Sequence, residues 1–171
     1  MLNPDGASAY TRGNAQGIDL NRDADLLSQR ESKVLRSVFD GFKPHFCLNL
    51  HDQRTIFSAG AAKKPATLSF LAPSFDEDRS ISLPRKKAMQ IIAGINDELQ
   101  EYLPGQIGRF DDGFNINCTG DRFMAFDIPT ILFEAGHFQG DYMREETRKY
   151  MAAAILASIK SIMRGGYEDY H

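Results

Sequence analysis

The sequence has few of the residues on which several protein classes depend. Its 171 residues include two cysteines, Cys47 and Cys118, and no tryptophan. Two cysteines cannot form the framework of several disulfides that holds small secreted domains together, and these two do not form a Cys-x-x-Cys pair. We therefore expect both to be buried thiols rather than redox groups.

The chain also lacks an excess of charge and any long hydrophobic run. The chain has 20 Lys and Arg residues and 23 Asp and Glu residues, which gives a net charge of −3. This balance argues against a nucleic-acid partner bound through a basic field, and against a polybasic membrane-surface protein. The longest apolar candidate, residues 151–159, is far shorter than the roughly 18 residues of a membrane span. We expect no nucleic-acid partner and no membrane span.

What is present indicates one α/β domain over residues 1–171. The length is that of a single domain, and 42% of the residues are hydrophobic. Helical periodicity alternates with short apolar runs, which predicts a mixed, largely parallel sheet flanked by helices. The predicted helices are 23–42, 82–102 and 141–164, the predicted strands are 45–50, 66–71 and 129–134, and 105–127 is predicted to be a loop.

The chain begins abruptly. The turn-forming residues Asn3 to Gly6 normally follow a structured element, yet only two residues precede them. We expect that preceding sequence, including N-terminal strands of the sheet, is missing. If Met1 is the natural start, the chain has no signal peptide and a cytoplasmic location is expected.

The first cluster of candidate functional residues lies near the start of the chain. Residues 12–23 are dense in arginine, asparagine, aspartate and glycine. For any single residue here, a solvated loop with a helix cap is the simpler interpretation. Together, however, Arg12 and Arg22 flank Asn14 and Asn21, a pattern suited to binding a carboxylate or stabilising an oxyanion.

Two further candidates follow apolar strands. His51 comes directly after the run HFCLNL, where a histidine can ligate a metal, act as a base, or simply cap the strand. Glu134 ends the run TILFE, where a half-buried carboxylate can have a raised pKa and serve as a general base. The alternative for Glu134 is an exposed loop carboxylate.

Taken together, these segments resemble the zinc carboxypeptidases of the carboxypeptidase A type. The matching pieces occur in the family's order: NPDG, then R-x-N-x-x-G-x-D-L-N-R-D, then a strand running into a histidine, then TILFE. The resemblance covers residue 3 to about residue 160. It implies an α/β/α sandwich and a zinc-dependent metallopeptidase, a hydrolase that cleaves next to a free carboxylate.

The resemblance also implies a role for each matching residue. His51 would be a zinc ligand, and Arg12 would polarise the scissile carbonyl and hold the oxyanion. Asn21 and Arg22 would bind the free carboxylate of a peptide or acyl-amino-acid substrate. Glu134 would be the general base for a zinc-bound water.

The sequence departs from the family in its metal ligands. A catalytic zinc takes about three protein ligands, and the family supplies two of them from an H-x-x-E motif before NPDG. None of the four histidines, His45, His51, His137 and His171, is followed by glutamate three residues later. We expect the two other ligands upstream of this chain. A less favoured alternative joins His51 to the pair in Glu134-x-x-His137.

The substrate pocket departs as well. The stretch 111–117 offers Phe114 where the family places a mobile tyrosine, which indicates a divergent branch. Asp121 is expected in the pocket that contacts the substrate side chain.

Two other functions remain open. An amidoacylase of the aspartoacylase and succinylglutamate desuccinylase type shares the D-L-N-R segment and a late glutamate, although the full NPDG favours the peptidase. An inactive carboxylate-binding module would keep the fold, but it would not need Glu134. If N-terminal strands are missing, an exposed sheet edge would favour self-association.

Overall fold

A computed structural model of the chain describes residues 2–61 and 63–170. Within these residues the fold contains α-helices and β-strands in the order α1 (Pro4–Ala9), α2 (Arg30–Phe42), β1 (Cys47–Asp52), β2 (Leu68–Leu71), α3 (Leu83–Leu99), β3 (Ile107–Arg109), α4 (Thr119–Ala125), β4 (Thr130–Ala135) and α5 (Glu145–Arg164). Short 3₁₀ turns lie at Leu20–Arg22 and Gly166–Asp169.

The four strands form one mixed sheet flanked by helices, which confirms the predicted α/β class. The strand order is β1-β4-β2-β3. Strand β1 pairs with β4 in parallel, and β2 pairs with β3 in parallel. The central pair, β2 with β4, is antiparallel. The carboxyl ends of β1 and β4 therefore lie at the same end of the sheet, and the candidate residues His51 and Glu134 lie there.

Alternation along β4 separates the core from the site. Ile131 and Phe133 are fully buried in the main core, together with Phe70 of β2. Leu132 and Glu134 point to the opposite face because successive side chains of a strand alternate. Helices α3 and α5 complete the core with small and aliphatic side chains, namely Ala88, Ile91, Ile95, Leu99, Ala154 and Ala157.

Helix α2 begins seven residues later than predicted, at Arg30 rather than Asp23. The carboxylate of Asp23 accepts hydrogen bonds from the backbone N–H of Ser28 at 2.9 Å and of Gln29 at 2.9 Å. A short acidic side chain that bonds nearby backbone groups favours a turn over a helix. Residues 23–29 therefore form an irregular segment that leads into α2.

The structure corrects three other predictions. The Asn3–Gly6 segment begins helix α1, because Asn3 Oδ1 accepts from the N–H of Gly6 at 2.9 Å and Pro4 occupies the first helical position. Residues 105–127 contain β3 and α4 rather than a loop only. Strand β1 ends at Asp52, so that His51 lies within the last part of the strand.

In the described part of the chain, β1 lies at the edge of the sheet, and large apolar side chains on β1 and on α2 are exposed. Val38 of α2 is 61% exposed and Leu50 of β1 is 56% exposed. Among the described residues, no helix combines the length and hydrophobicity needed to cross a membrane.

We expect the chain to self-associate as its concentration rises, because an unpaired strand edge and exposed apolar side chains favour pairing with another chain. Sedimentation velocity over a concentration series measures this directly. Leu50→Lys and Val38→Lys, combined, should shift the distribution towards monomer. Leu156→Lys on α5 is the control, since Leu156 is 66% exposed but does not lie on β1 or α2. A chain that is monomeric throughout the series contradicts the expectation.

Candidate active site

The register of β1 against β4 places His51 beside Glu134. His51 Nδ1 lies 3.8 Å from Glu134 Oε1. On the other side of the ring, His51 Nε2 lies 3.1 Å from Asn49 Oδ1, which is on the same face of β1 two residues earlier. Because an amide oxygen only accepts, Nε2 carries the proton and Nδ1 keeps a free lone pair. The nitrogen that can bind a metal thus faces the carboxylate.

The surroundings raise the pKa of Glu134 and lower that of His51. Glu134 is 5% exposed. Burial raises its pKa from 4.5 to about 7, with a further increase from the charge of Asp52 and an opposing effect from Arg12. Burial lowers the pKa of His51, and the charges of Arg12 and Arg22 lower it further. At pH 7, His51 is therefore neutral, while Glu134 can both take and give a proton.

Arg12 is held in place by Asp19. Its Nη2 lies 2.9 Å from Asp19 Oδ2, and its Nε donates to the same oxygen at 3.1 Å. The other oxygen, Asp19 Oδ1, accepts from the N–H of Asn21 at 3.0 Å and starts the Leu20–Arg22 turn. One carboxylate therefore orients both the guanidinium and the turn that carries the next two candidates.

That turn is fixed to the start of α4. Asn21 Oδ1 accepts from the N–H of Thr119 at 3.1 Å. Arg22 Nη1 lies 2.9 Å from Cys118 Sγ and donates to the Asn21 carbonyl oxygen at 3.0 Å. These contacts join segments almost a hundred residues apart in the sequence.

Asn14 lies between Arg12 and Arg22 in the sequence, which suggests a role in binding, but its contacts in the structure hold the loop in place. Its Nδ2 donates to Gln29 Oε1 at 2.9 Å and to Glu31 Oε1 at 3.1 Å, while Oδ1 accepts from the N–H groups of Gln16 and Ile18. Asn14 is buried and fixes the loop onto α2. It does not line the cavity described next.

One cavity of about 240 Å³ brings the predicted site residues together. All six residues predicted to act on substrate or metal line it: Arg12, Asn21, Arg22, His51, Asp121 and Glu134. We call it the inner cavity. Asp121 is buried, and burial raises its pKa to about 6. The cavity thus combines two guanidinium groups with two carboxyl groups that can be protonated near neutral pH.

Sequence reasoning missed other residues that line the inner cavity, including Asn49, Phe110, Asp111 and Cys118. Asn49 could have been found, because it precedes His51 by two residues and so shares its face of β1. A Cβ on Gly120 would lie 3.2 Å from Asn49 Nδ2 and 3.2 Å from Pro73 Cγ. Glycine at this position therefore lets α4 approach β1 closely.

The described residues include one side chain, His51, that is suited to be a zinc ligand. A neutral histidine with a free Nδ1, oriented by a hydrogen bond from its other nitrogen, is a suitable ligand. Within residues 2–61 and 63–170, no group of three His, Cys, Asp or Glu side chains could hold a metal ion. His137 Nε2 instead lies 3.1 Å from the Arg54 carbonyl oxygen, so the set of His51, Glu134 and His137 is not formed. His171 lies outside the described residues.

Comparisons of this chain with family models, curated proteins and solved structures found no match. The fold and the site therefore characterise it. It is an α/β chain in which a buried carboxyl group and a neutral histidine at the carboxyl ends of two strands, and two arginines from the segment before α2, line one cavity.

Proposed function

We propose that the chain is part of a zinc carboxypeptidase-like hydrolase of the carboxypeptidase A type, which cleaves a peptide or amide bond next to a free carboxylate. Its sheet would belong to that family's α/β/α sandwich. The observation that supports this most is that Arg12, Asn21, Arg22, His51 and Glu134 line one cavity. A binding module needs the arginines but has no use for a buried carboxyl group beside a neutral histidine.

Asn21 and Arg22 would hold the free carboxylate of the substrate. A guanidinium next to an amide offers several N–H donors to the two carboxylate oxygens. The anchoring of their turn to Thr119 and Cys118 keeps these donors in position before substrate binds. Recognition of the free carboxylate would restrict cleavage to the end of a chain.

Glu134 and Arg12 would act at the scissile bond. With a pKa near 7, Glu134 can take a proton from the attacking water and pass it to the leaving nitrogen. Arg12, oriented by Asp19, would stabilise the negative charge that develops on the carbonyl oxygen. Asp121, in the same cavity, would contact the side chain of the terminal residue.

His51 would be the zinc ligand that this chain contributes, with the remaining ligands supplied from elsewhere. The chemistry that zinc supplies when bound is polarisation of a carbonyl and a lower pKa for a bound water. The hydrogen bond from His51 to Asn49 would hold the ring in the orientation needed for ligation.

The decisive experiment compares peptides that differ only at the C-terminus. We expect this chain to bind a peptide with a free carboxylate at least about tenfold more tightly than its amide, because a charge-assisted hydrogen bond contributes roughly 1.5–3 kcal/mol. Isothermal titration calorimetry measures the affinities. Arg22→Gln should remove the difference, whereas Arg30→Gln, an exposed change on α2, should leave it intact.

Product analysis by mass spectrometry in the presence of zinc tests the reaction itself. Slow removal of the last residue supports the proposal, and Glu134→Gln should abolish it. Cleavage of acyl-amino acids instead would favour the amidoacylase. Carboxylate binding with identical product levels for the chain and its Glu134→Gln variant would contradict the proposed reaction.

We expect this chain alone to bind zinc weakly, with a dissociation constant above about 1 µM, because one histidine is fewer than the three ligands of a catalytic site. Competition with a chromophoric chelator at pH 7.5 measures the affinity. His51→Ala should remove the binding, while His45→Ala serves as the control, since His45 does not line the inner cavity. Tighter binding that depends on His51 would contradict this expectation.

A further inference from the structure

A second depression lies beside the candidate site, between the loop that follows β1 and the segment that follows β4. Its volume is about 710 Å³. Two adjacent lysines, Lys63 and Lys64, lie among exposed apolar and aromatic side chains. We call it the lysine groove; its apolar side chains include Ile56, Phe57, Phe138 and Tyr142.

The lysine groove has a positive charge available for a ligand. Neither Lys63 nor Lys64 forms an ion pair with any of the residues that the structure describes. The acidic residue in its lining, Asp141, is already engaged: its oxygens accept from the N–H of Glu145 at 2.8 Å and of Thr147 at 2.9 Å. Acidic groups next to apolar or aromatic ones would match this surface.

The lysine groove adjoins a third cavity, which in turn shares residues with the candidate site. A wider cavity of about 510 Å³ shares Arg12, His51 and Glu134 with the inner cavity, and it shares Phe57 with the lysine groove. A ligand whose carboxylate lies at Arg22 could therefore pass over His51 and Glu134 and continue into the lysine groove. The exposed Arg54 lines the same connecting cavity and adds a positive charge. Two carboxylates, Asp19 and Asp52, line it as well, and they form ion pairs with Arg12 and Arg144.

We propose that the lysine groove binds acidic residues of a peptide substrate upstream of the scissile bond, so that this protein acts on peptides with acidic segments near their C-terminus. The direction of the peptide rests on the proposed function, because Asn21 and Arg22 would hold its terminal carboxylate. The apolar side chains of the lysine groove would pack against aromatic or aliphatic residues between the acidic ones.

Fluorescence anisotropy with labelled peptides of about eight residues tests this proposal. All peptides share one C-terminal residue; the upstream residues are glutamate and tyrosine in one peptide, and glutamine and tyrosine in the other. We expect the glutamate peptide to bind about tenfold more tightly at low salt, and the advantage to shrink in 0.5 M salt. The double variant Lys63→Glu, Lys64→Glu should reverse the preference. The matched control is Lys86→Glu, Lys87→Glu, another adjacent pair, on α3.

Each outcome separates the lysine groove from the proposed function. Equal affinity for the two peptides contradicts the proposal that the lysine groove binds acidic residues, even if removal of the free carboxylate still weakens binding. An equal loss in both double variants also overturns it, because the attraction would then be non-specific. A glutamate preference that depends on Lys63 and Lys64 but is unaffected by C-terminal amidation supports the groove and contradicts the carboxylate site.

Discussion

Replacing Glu134 with glutamine is expected to stabilise the fold at pH 8 by about 3 kcal/mol. The pKa of Glu134 is raised from 4.5 to about 7, mainly because burial disfavours the charged form. Each pKa unit corresponds to about 1.4 kcal/mol of free energy. At pH 8 the native chain carries this unfavourable charge, whereas the amide has the same shape and no charge.

The sign of the effect fixes its pH dependence. A carboxyl group whose pKa is higher in the folded state contributes most stability below its unfolded pKa, and the contribution is lost as pH rises through its folded pKa. The free energy of unfolding of the native chain should therefore fall between pH 4.5 and about 7 relative to that of Glu134→Gln. Below pH 4.5 the two proteins should be nearly equal.

Thermal unfolding at pH 8 and at pH 4.5 measures the difference. For a chain of this length, about 3 kcal/mol corresponds to an increase of roughly 6–12 °C in Tm. Glu101→Gln is the control, since Glu101 is exposed in a turn. A variant that is no more stable than the native chain at pH 8 would show that Glu134 is not held in an unfavourable ionised state, and would remove the physical basis for its role as a base.

The sequence predicts that His51 and Glu134 each lie at the end of an apolar strand, but it does not predict which strands pair. Both residues end short apolar runs, and the ends of parallel strands meet at one edge of a sheet. The structure shows them in register on β1 and β4. The burial of Glu134 follows from the same position, because β4 lies between two other strands.

The elements that the sequence does not predict depend on contacts between distant residues. Helix α4 has seven residues and includes a glycine, and its first N–H, that of Thr119, donates to Asn21 Oδ1, 98 residues earlier. No local pattern carries that information. Likewise, the side chain of Asp23 delays the start of α2 through bonds to Ser28 and Gln29, although the apolar spacing extends further back.

Replacing Arg85 with methionine is expected to destabilise the fold by about 3–5 kcal/mol, although an arginine on a helix would ordinarily be assigned to the surface. Its side chain is 2% exposed. Arg85 Nε donates to the Ala72 carbonyl oxygen at 3.1 Å, Nη1 donates to that of Ser80 at 3.2 Å, and Nη2 lies 2.5 Å from Asp112 Oδ2. Removing the buried guanidinium leaves the half-buried carboxylate of Asp112 without its partner, and the carbonyl oxygens of Ala72 and Ser80 without their donor.

The same contacts connect Arg85 to the inner cavity. Asp112 lies between Asp111 and Gly113, which line that cavity, and its other oxygen accepts from Ser74 Oγ at 3.2 Å. Arg85 therefore joins α3, the segment after β2 and the loop before α4. We expect Arg85→Met to weaken binding of the free-carboxylate peptide as well as the fold.

Urea denaturation of Arg85→Met, Asp112→Asn and the double variant measures the contribution of the pair. The double variant should lose less stability than the sum of the losses of the two single variants. Each single variant leaves one charged side chain without its partner, whereas the double variant leaves neither charge. Lys86→Met, the exposed neighbour on α3, should change stability by less than about 0.5 kcal/mol. If Arg85→Met is as stable as Lys86→Met, the buried guanidinium does not hold these three segments together, and the shape of the inner cavity must depend on other contacts.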